Sequence, residues 1–220
     1  MDSHTPDERL VFVDLETGGS QSWRPIIQIA AIAVSSEGHE LETYEAKLRF
    51  DESKADPKTL RGSRYSRERW FREAQSPSVV AESFAQLLMR HATVDQTAAT
   101  GRVFQVAQMV AHNASFDGEF LKAWFSRMLL FLPASPRVLC TVQRAMWAFH
   151  ENKSLTPPED YKLKTLCDYF SIPFPKSQAH DALNDVRATV ALYREMNEGA
   201  AIATQPSRWE GPISQLNSAT

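Results

Sequence analysis

Two strongly apolar runs lie close together near the start of the chain, residues 10–15 (LVFVDL) and 25–34 (PIIQIAAIAV). Runs this short and this rich in Val, Ile and Phe read as strands buried on both faces of a sheet, and the polar turn at 20–24 makes them an antiparallel pair. Residues 41–50 alternate more weakly and predict a third strand near an edge, completing a meander. The pattern then changes period. Val79, Val80, Phe84, Leu87 and Leu88 recur at helical spacing behind Pro77, predicting a helix over 78–91. Residues 92–102 are small and polar, which predicts an exposed loop, and 103–111 form a further strand. Asn113 is placed to cap a helix through Phe125 whose buried stripe is Phe120, Leu121 and Trp124. Short elements follow: a strand at 137–142, helices from 143 and over 162–170, and a proline-broken stretch at 171–177. A last helix spans 182–196, with Asp181 as its N-cap. The domain is therefore expected over 10–196, between a disordered lead-in (1–9) and a flexible tail (197–220) in which Trp209 stands out as a packing or docking residue.

Composition narrows the class. With 220 residues, 43% hydrophobic and 23% charged, the chain suits one globular domain. Its N-terminal stretch is polar and acidic where a signal peptide is basic and then apolar, which points to the cytoplasm. Cys140 and Cys167 stand in apolar settings that suit reduced core thiols rather than a disulfide framework. A net charge of −3 gives no global attraction for nucleic acid. Locally the picture differs, because Arg61, Arg64, Arg67, Arg69 and Arg72 interleave with Tyr65, Trp70 and Phe71. That segment suits phosphate contact and base stacking, and suits somewhat better an amphipathic surface segment with its aromatics turned inward.

Acids in apolar segments carry the candidate chemistry. Asp14 and Glu16 interrupt the first strand and, being two apart, project to one face. Asp117 lies three and four residues before Phe120 and Leu121, on the apolar side of its helix, and Asp185 shares the stripe of Ala182 and Thr189. Carboxylates gathered in an apolar setting repel one another and lose hydration, so they need compensating positive charge. Oxygen donors of this kind suit Mg²⁺ or Mn²⁺, and two such ions would balance four carboxylates while clamping a phosphodiester.

Taken in order, Asp14-Leu15-Glu16-Thr17-Gly18, His112-Asn113-Ala114-Ser115-Phe116-Asp117 and His180-Asp181-Ala182-Leu183-Asn184-Asp185 resemble the three motifs of DnaQ-like 3′-5′ exonucleases of the DEDDh type. The resemblance covers roughly residues 10–196. It implies an α/β, ribonuclease H-like fold with a mixed five-stranded sheet flanked by helices. It also implies Asp14, Glu16, Asp117 and Asp185 as ligands of two divalent cations, with Asp14 bridging both and Glu16 and Asp185 completing the site of the ion that activates water. His180 would be the general base, a role that suits imidazole near neutral pH. Leu15, Thr17, Gly18, Asn113 and Phe116 would line the terminal nucleotide.

The implied reaction is hydrolysis of the terminal phosphodiester at a free 3′ end, releasing nucleoside 5′-monophosphates, with DNA favoured. The implied partner is single-stranded or 3′-ended nucleic acid, together with a polymerase or another protein through the tail. Gln28 stands where many relatives carry an acid, and Gly18-Gly19 replaces a more usual Thr-Gly. Two alternatives stay open: an exoribonuclease, distinguished by readout of the 2′-hydroxyl, and an inactive module that binds nucleic-acid ends or a polymerase.

Overall fold

The computed structural model describes residues 8–175, 177 and 179–203. The paired runs at the N-terminus become β1 (Arg9–Thr17) and β2 (Ile26–Ser35), antiparallel from Arg9↔Ser35 to Thr17↔Ile26, and β3 (Glu40–Lys47) extends the meander as the outer strand. All of β2 except its last residue is buried, as expected of an apolar run inside a sheet. After β3 come two short helices, α1 (Pro57–Gly62) and α2 (Arg67–Glu73), then the amphipathic α3 (Pro77–Arg90).

Beyond α3 the chain forms β4 (Ala92–Thr97), β5 (Val103–Ala111), α4 (Ala114–Arg127), β6 (Leu139–Cys140), α5 (Thr141–Glu151), α6 (Leu163–Tyr169) and α7 (Ala182–Ala203). The sheet runs β3-β2-β1-β5-β4. β5 is parallel to β1 and antiparallel to β4, and β6 joins β5 in parallel. This is the mixed α/β architecture expected of a ribonuclease H-like fold, with six strands among the described residues where five were expected. The extra strand is β4, at residues read as a loop. ATVDQT has no apolar alternation to betray a strand, yet Thr93, Val94 and Thr97 are β-branched, and Gly101 supplies the left-handed turn (φ 81°) that folds the segment onto β5.

Alternation along β1 divides the core. Val11, Val13 and Leu15 pack with Phe84, Leu87, Phe120 and Leu121 of α3 and α4, whereas Phe12 faces Ala182, Val186 and Val190 of α7. Asp14 and Glu16 share the parity of Phe12 and so belong to the α7 side. Helix α7 continues past Met196, the expected end of the domain, to Ala203. At the other end Arg9 already belongs to β1. Trp209, most of the expected tail and residues 1–7 of the expected lead-in lie outside the described residues.

Candidate active site

The C-terminal end of β1 opens into a cavity of about 230 Å³ whose lining includes Asp14, Glu16, Asp117, Asp185 and His180. Leu15, Thr17, Asn113 and Phe116 line it too, and Thr59 and His112 complete the wall. Residues from β1, α1, α4 and α7, separated by up to most of the domain, thus meet in one place. Gly18 stands apart from them. Its amide donates to the Pro25 carbonyl (2.8 Å), and a Cβ there would meet Ala55 Cβ at 2.8 Å and Pro25 Cγ at 2.9 Å, so its small size serves close packing behind the cavity.

Each acid reaches the cavity by a different route. Asp14 and Glu16 project from β1 towards α7, whose first turn supplies Asp185. Asp117 comes from the opposite layer: α4 packs on the other face of β1, and the Asp117 carboxylate accepts hydrogen bonds from its own amide and that of Leu15. The start of α4 differs from the expected side-chain cap. Asn113 adopts a left-handed backbone (φ 63°, ψ 53°) and makes no capping bond with its side chain, while Ala114 N–H donates to Cys140 Sγ at 3.4 Å. Asn is among the few residues that tolerate this conformation. Asp181 does cap α7, accepting from the Asn184 amide.

His180 sits at the mouth, exposed, with a left-handed backbone (φ 60°) that costs a non-glycine residue about 1–3 kcal/mol and so requires holding contacts. One is its amide, which donates to the Asp185 carboxylate. A ring nitrogen of His180 and carboxylate oxygens of Glu16 and Asp185 all lie within 4.8 Å of one another.

Electrostatically the site is a concentration of unneutralised acid. Burial, then the charges of Asp117, Asp185, Glu16 and Asp181, drive the Asp14 carboxyl well above its ordinary range. Burial and the charges of Asp185 and Asp181 push Glu16 up to about 8, against a smaller opposing pull from Arg64. Asp117 is pushed to about 8, mainly by burial, and the two amide hydrogen bonds it accepts work the other way. Asp185 rises to about 7, again chiefly through burial. Its Oδ1 is buried without a hydrogen-bond partner among the described residues. An orphaned buried oxygen, several carboxylates held above their usual range and an imidazole within reach form a donor set that fits hard divalent cations.

Two site residues lay outside the sequence expectation of contact. Thr59 enters because α1 folds over the end of β1. His112 was recognised in its motif without a role, and the structure gives it a bracing one: Nε2 faces the Tyr161 carbonyl at 3.0 Å and Nδ1 the Thr141 hydroxyl at 2.9 Å. Since a carbonyl only accepts, Nε2 carries the proton and Nδ1 accepts from Thr141. Burial lowers the pKa of this imidazole, in keeping with that neutral form.

The arginine segment folds largely upon itself. Arg67 pairs with Glu52, Arg69 with Glu73, and Arg64 donates to the carbonyls of Ala179 and Ser177. Trp70 is buried and its indole N–H bonds the Ile27 carbonyl (3.1 Å), while Phe71 stays 88% exposed. Arg64, Arg67 and Arg69 are thus each engaged within the protein and Trp70 is turned inward, as an amphipathic surface segment requires. Gln28, buried beside Glu16 in the strand register, donates to Glu45 Oε1 at 3.0 Å, which accounts for an amide where an acid would add charge.

A mixed sheet with an acidic cavity between β1, α4 and α7 defines a ribonuclease H-like protein with a carboxylate site. Residues 92–193 match the RNase_T family model, described as Exonuclease, so over that stretch the chain is similar to this exonuclease family. Asp14 and Glu16 precede the matched stretch and join the site through the fold. A DNA polymerase III PolC-type of Bacillus subtilis (strain 168) is 34% identical over 93 residues, covering 42% of this chain and 6% of that protein. Among solved structures, the chain is similar to a zinc-bound Escherichia coli exonuclease I–ssDNA complex (TM-score 0.69, 20% identity, 89% of this chain and 41% of that one). It is also similar to exonuclease I from Methylocaldum szegediense (TM-score 0.67, 18% identity, 86% and 40%). The chain therefore spans less than half the length of these proteins.

Proposed function

We propose that the chain is a divalent-cation-dependent 3′-5′ exonuclease that removes nucleoside 5′-monophosphates from single-stranded or 3′-ended DNA. The observation that carries this reading is the convergence of Asp14, Glu16, Asp117 and Asp185 in one cavity with His180 at its mouth. Two Mg²⁺ or Mn²⁺ ions fit the donor set, with Asp14 central and Glu16, Asp185 and Asp117 around it; when bound, they supply Lewis-acid polarisation of the phosphodiester and charge compensation during in-line displacement. The protein's own groups do the rest. His180 takes the proton of the attacking water, its ring already turned towards Glu16 and Asp185. Leu15, Thr17, Asn113 and Phe116 form the wall against which the terminal nucleotide rests, and Phe116, which stacks at 4.6 Å on Phe120, offers a held aromatic edge to the base. Gly18 acts on that wall indirectly, through its packing.

DNA is favoured because the similar proteins are named as a DNA polymerase and as exonuclease I bound to ssDNA. A cytoplasmic setting fits two free thiols, and among the described residues no helix is long and apolar enough to cross a membrane. The test is degradation of 5′-labelled single-stranded DNA and RNA of one sequence with Mg²⁺ or Mn²⁺, against EDTA and against Asp14→Ala. Stepwise shortening of the DNA that stops in EDTA and in the variant is expected. Cation-independent cleavage, or none with either strand, overturns the reading, and faster loss of RNA changes the substrate.

A further inference from the structure

Arg64 belongs to none of the three acidic motifs, yet it is tied to the loop that presents His180. It lies in the short segment between α1 and α2, and its guanidinium reaches across 115 positions of sequence: Nε donates to the Ala179 carbonyl at 3.1 Å and Nη2 donates to the Ser177 carbonyl. These are the carbonyls immediately before His180 and two residues further back. They lead towards His180, whose left-handed backbone (φ 60°) a non-glycine residue holds at some cost in energy. On the other side the same residue is held by its amide bond to Asp185. His180 is thus suspended between two anchors, one on α7 and one on the α1–α2 segment. A forked, planar guanidinium is suited to engaging two carbonyls at a fixed angle, and a lysine ammonium is not.

We infer that Arg64 is a positioning residue that clamps the carbonyls of Ser177 and Ala179 and thereby fixes the His180 imidazole over the acidic cavity. This rests on the reading of His180 as the proton acceptor, but the clamp is a statement about loop geometry and can be measured without turnover. Because a misplacement of about 1 Å at a reacting group can cost on the order of 100-fold in rate, releasing the clamp acts on kcat. It leaves nucleotide binding, which depends on other walls of the cavity, nearly unchanged.

The experiment compares wild type, Arg64→Gln, Arg64→Lys, His180→Ala and the double variant Arg64→Gln/His180→Ala in the full chain. Amide hydrogen exchange at His180 should accelerate about tenfold or more in Arg64→Gln, with amides in the middle of α7 unchanged. Arg64→Lys should fall on the side of Arg64→Gln, since charge without the fork does not restore the clamp. In turnover, Arg64→Gln should lower kcat by about 10–100-fold with KM within about twofold, and should have no further effect once His180 is alanine. Unchanged exchange at His180, or an equal loss of kcat from Arg64→Gln with and without His180, overturns the clamp. An inactive wild type that nevertheless shows the exchange difference keeps the clamp and removes the exonuclease reading.

Discussion

The Asp117 carboxylate, carried on α4, accepts the backbone amide of Leu15, the residue between Asp14 and Glu16 on β1. This bond crosses from one layer of the domain to the other and sets an acid against two more, with only the weaker pull of Arg64 on Glu16 opposing their mutual repulsion. Burial and its neighbours raise the Asp117 carboxyl to about 8, so its ionised form is held at the expense of the fold. Asp117→Asn keeps an oxygen that accepts from Leu15 and deletes the charge. In cation-free buffer at pH 8 it should stabilise the protein by about 1–3 kcal/mol, a rise of several degrees in Tm, while lowering exonuclease turnover by at least about 100-fold. A lower Tm by calorimetry would show that the acid is structurally satisfied and count against a cation site.

The same repulsion predicts the direction of the pH dependence. Glu16, Asp117 and Asp185 are pushed up to about 8, 8 and 7, from ordinary carboxylate values of 4.5, 3.8 and 3.8. The native state therefore binds more protons than the unfolded chain between those limits, and stability falls as pH rises through this window. Thermal melts in chelator should show Tm declining from about pH 5 to pH 8, and Mn²⁺ added at pH 8 should recover most of the loss by binding the native state alone. A rising or flat profile in chelator would contradict the electrostatics described for the site.

His180 differs in kind from the acids, being exposed and reached by a loop. If it moves a proton, His180→Ala should lower kcat by about 100- to 10,000-fold while Mn²⁺ affinity, read by titration calorimetry, stays within about threefold. Because its ring lies within 4.8 Å of oxygens of both Glu16 and Asp185, ligation is the competing outcome, and a large drop in ion affinity would establish it.

Gly18 tests the packing that seats the end of β1. No left-handed backbone demands glycine here; the constraint is space, since a new Cβ would lie 2.8 Å from Ala55 Cβ and 3.2 Å from Ala55 Cα. Gly18→Ala should destabilise by about 1–3 kcal/mol, visible as a lower denaturant midpoint at unchanged m-value. An unaltered midpoint would mean that the 55–56 segment yields freely.

Much of the domain follows from local pattern. The buried meander shows in the runs of β1 and β2, because a strand covered on both faces must be apolar throughout. The parity of Asp14 and Glu16 and the apolar-side placement of Asp117 and Asp185 are set by strand and helix period, and the Asp181 cap by a short acceptor side chain just ahead of the helix. Strand β4 escaped because its residues pair through backbone, a property that polarity does not record, and its partner β5 lies across a turn.

Tertiary structure alone decided what each charged side chain meets. Nothing in the order of residues says that Arg64 will grip the carbonyls before His180, that Arg67 and Arg69 will be occupied by Glu52 and Glu73, or that Asn113 will turn left-handed and leave an amide to Cys140. Nor does it say that Gly18 will serve packing rather than contact. Such pairings depend on which distant segments the fold brings within about 3 Å, and hydrogen bonds and ion pairs fall away steeply beyond that range. Periodicity reports which face a residue occupies; only the assembled layers determine its neighbour.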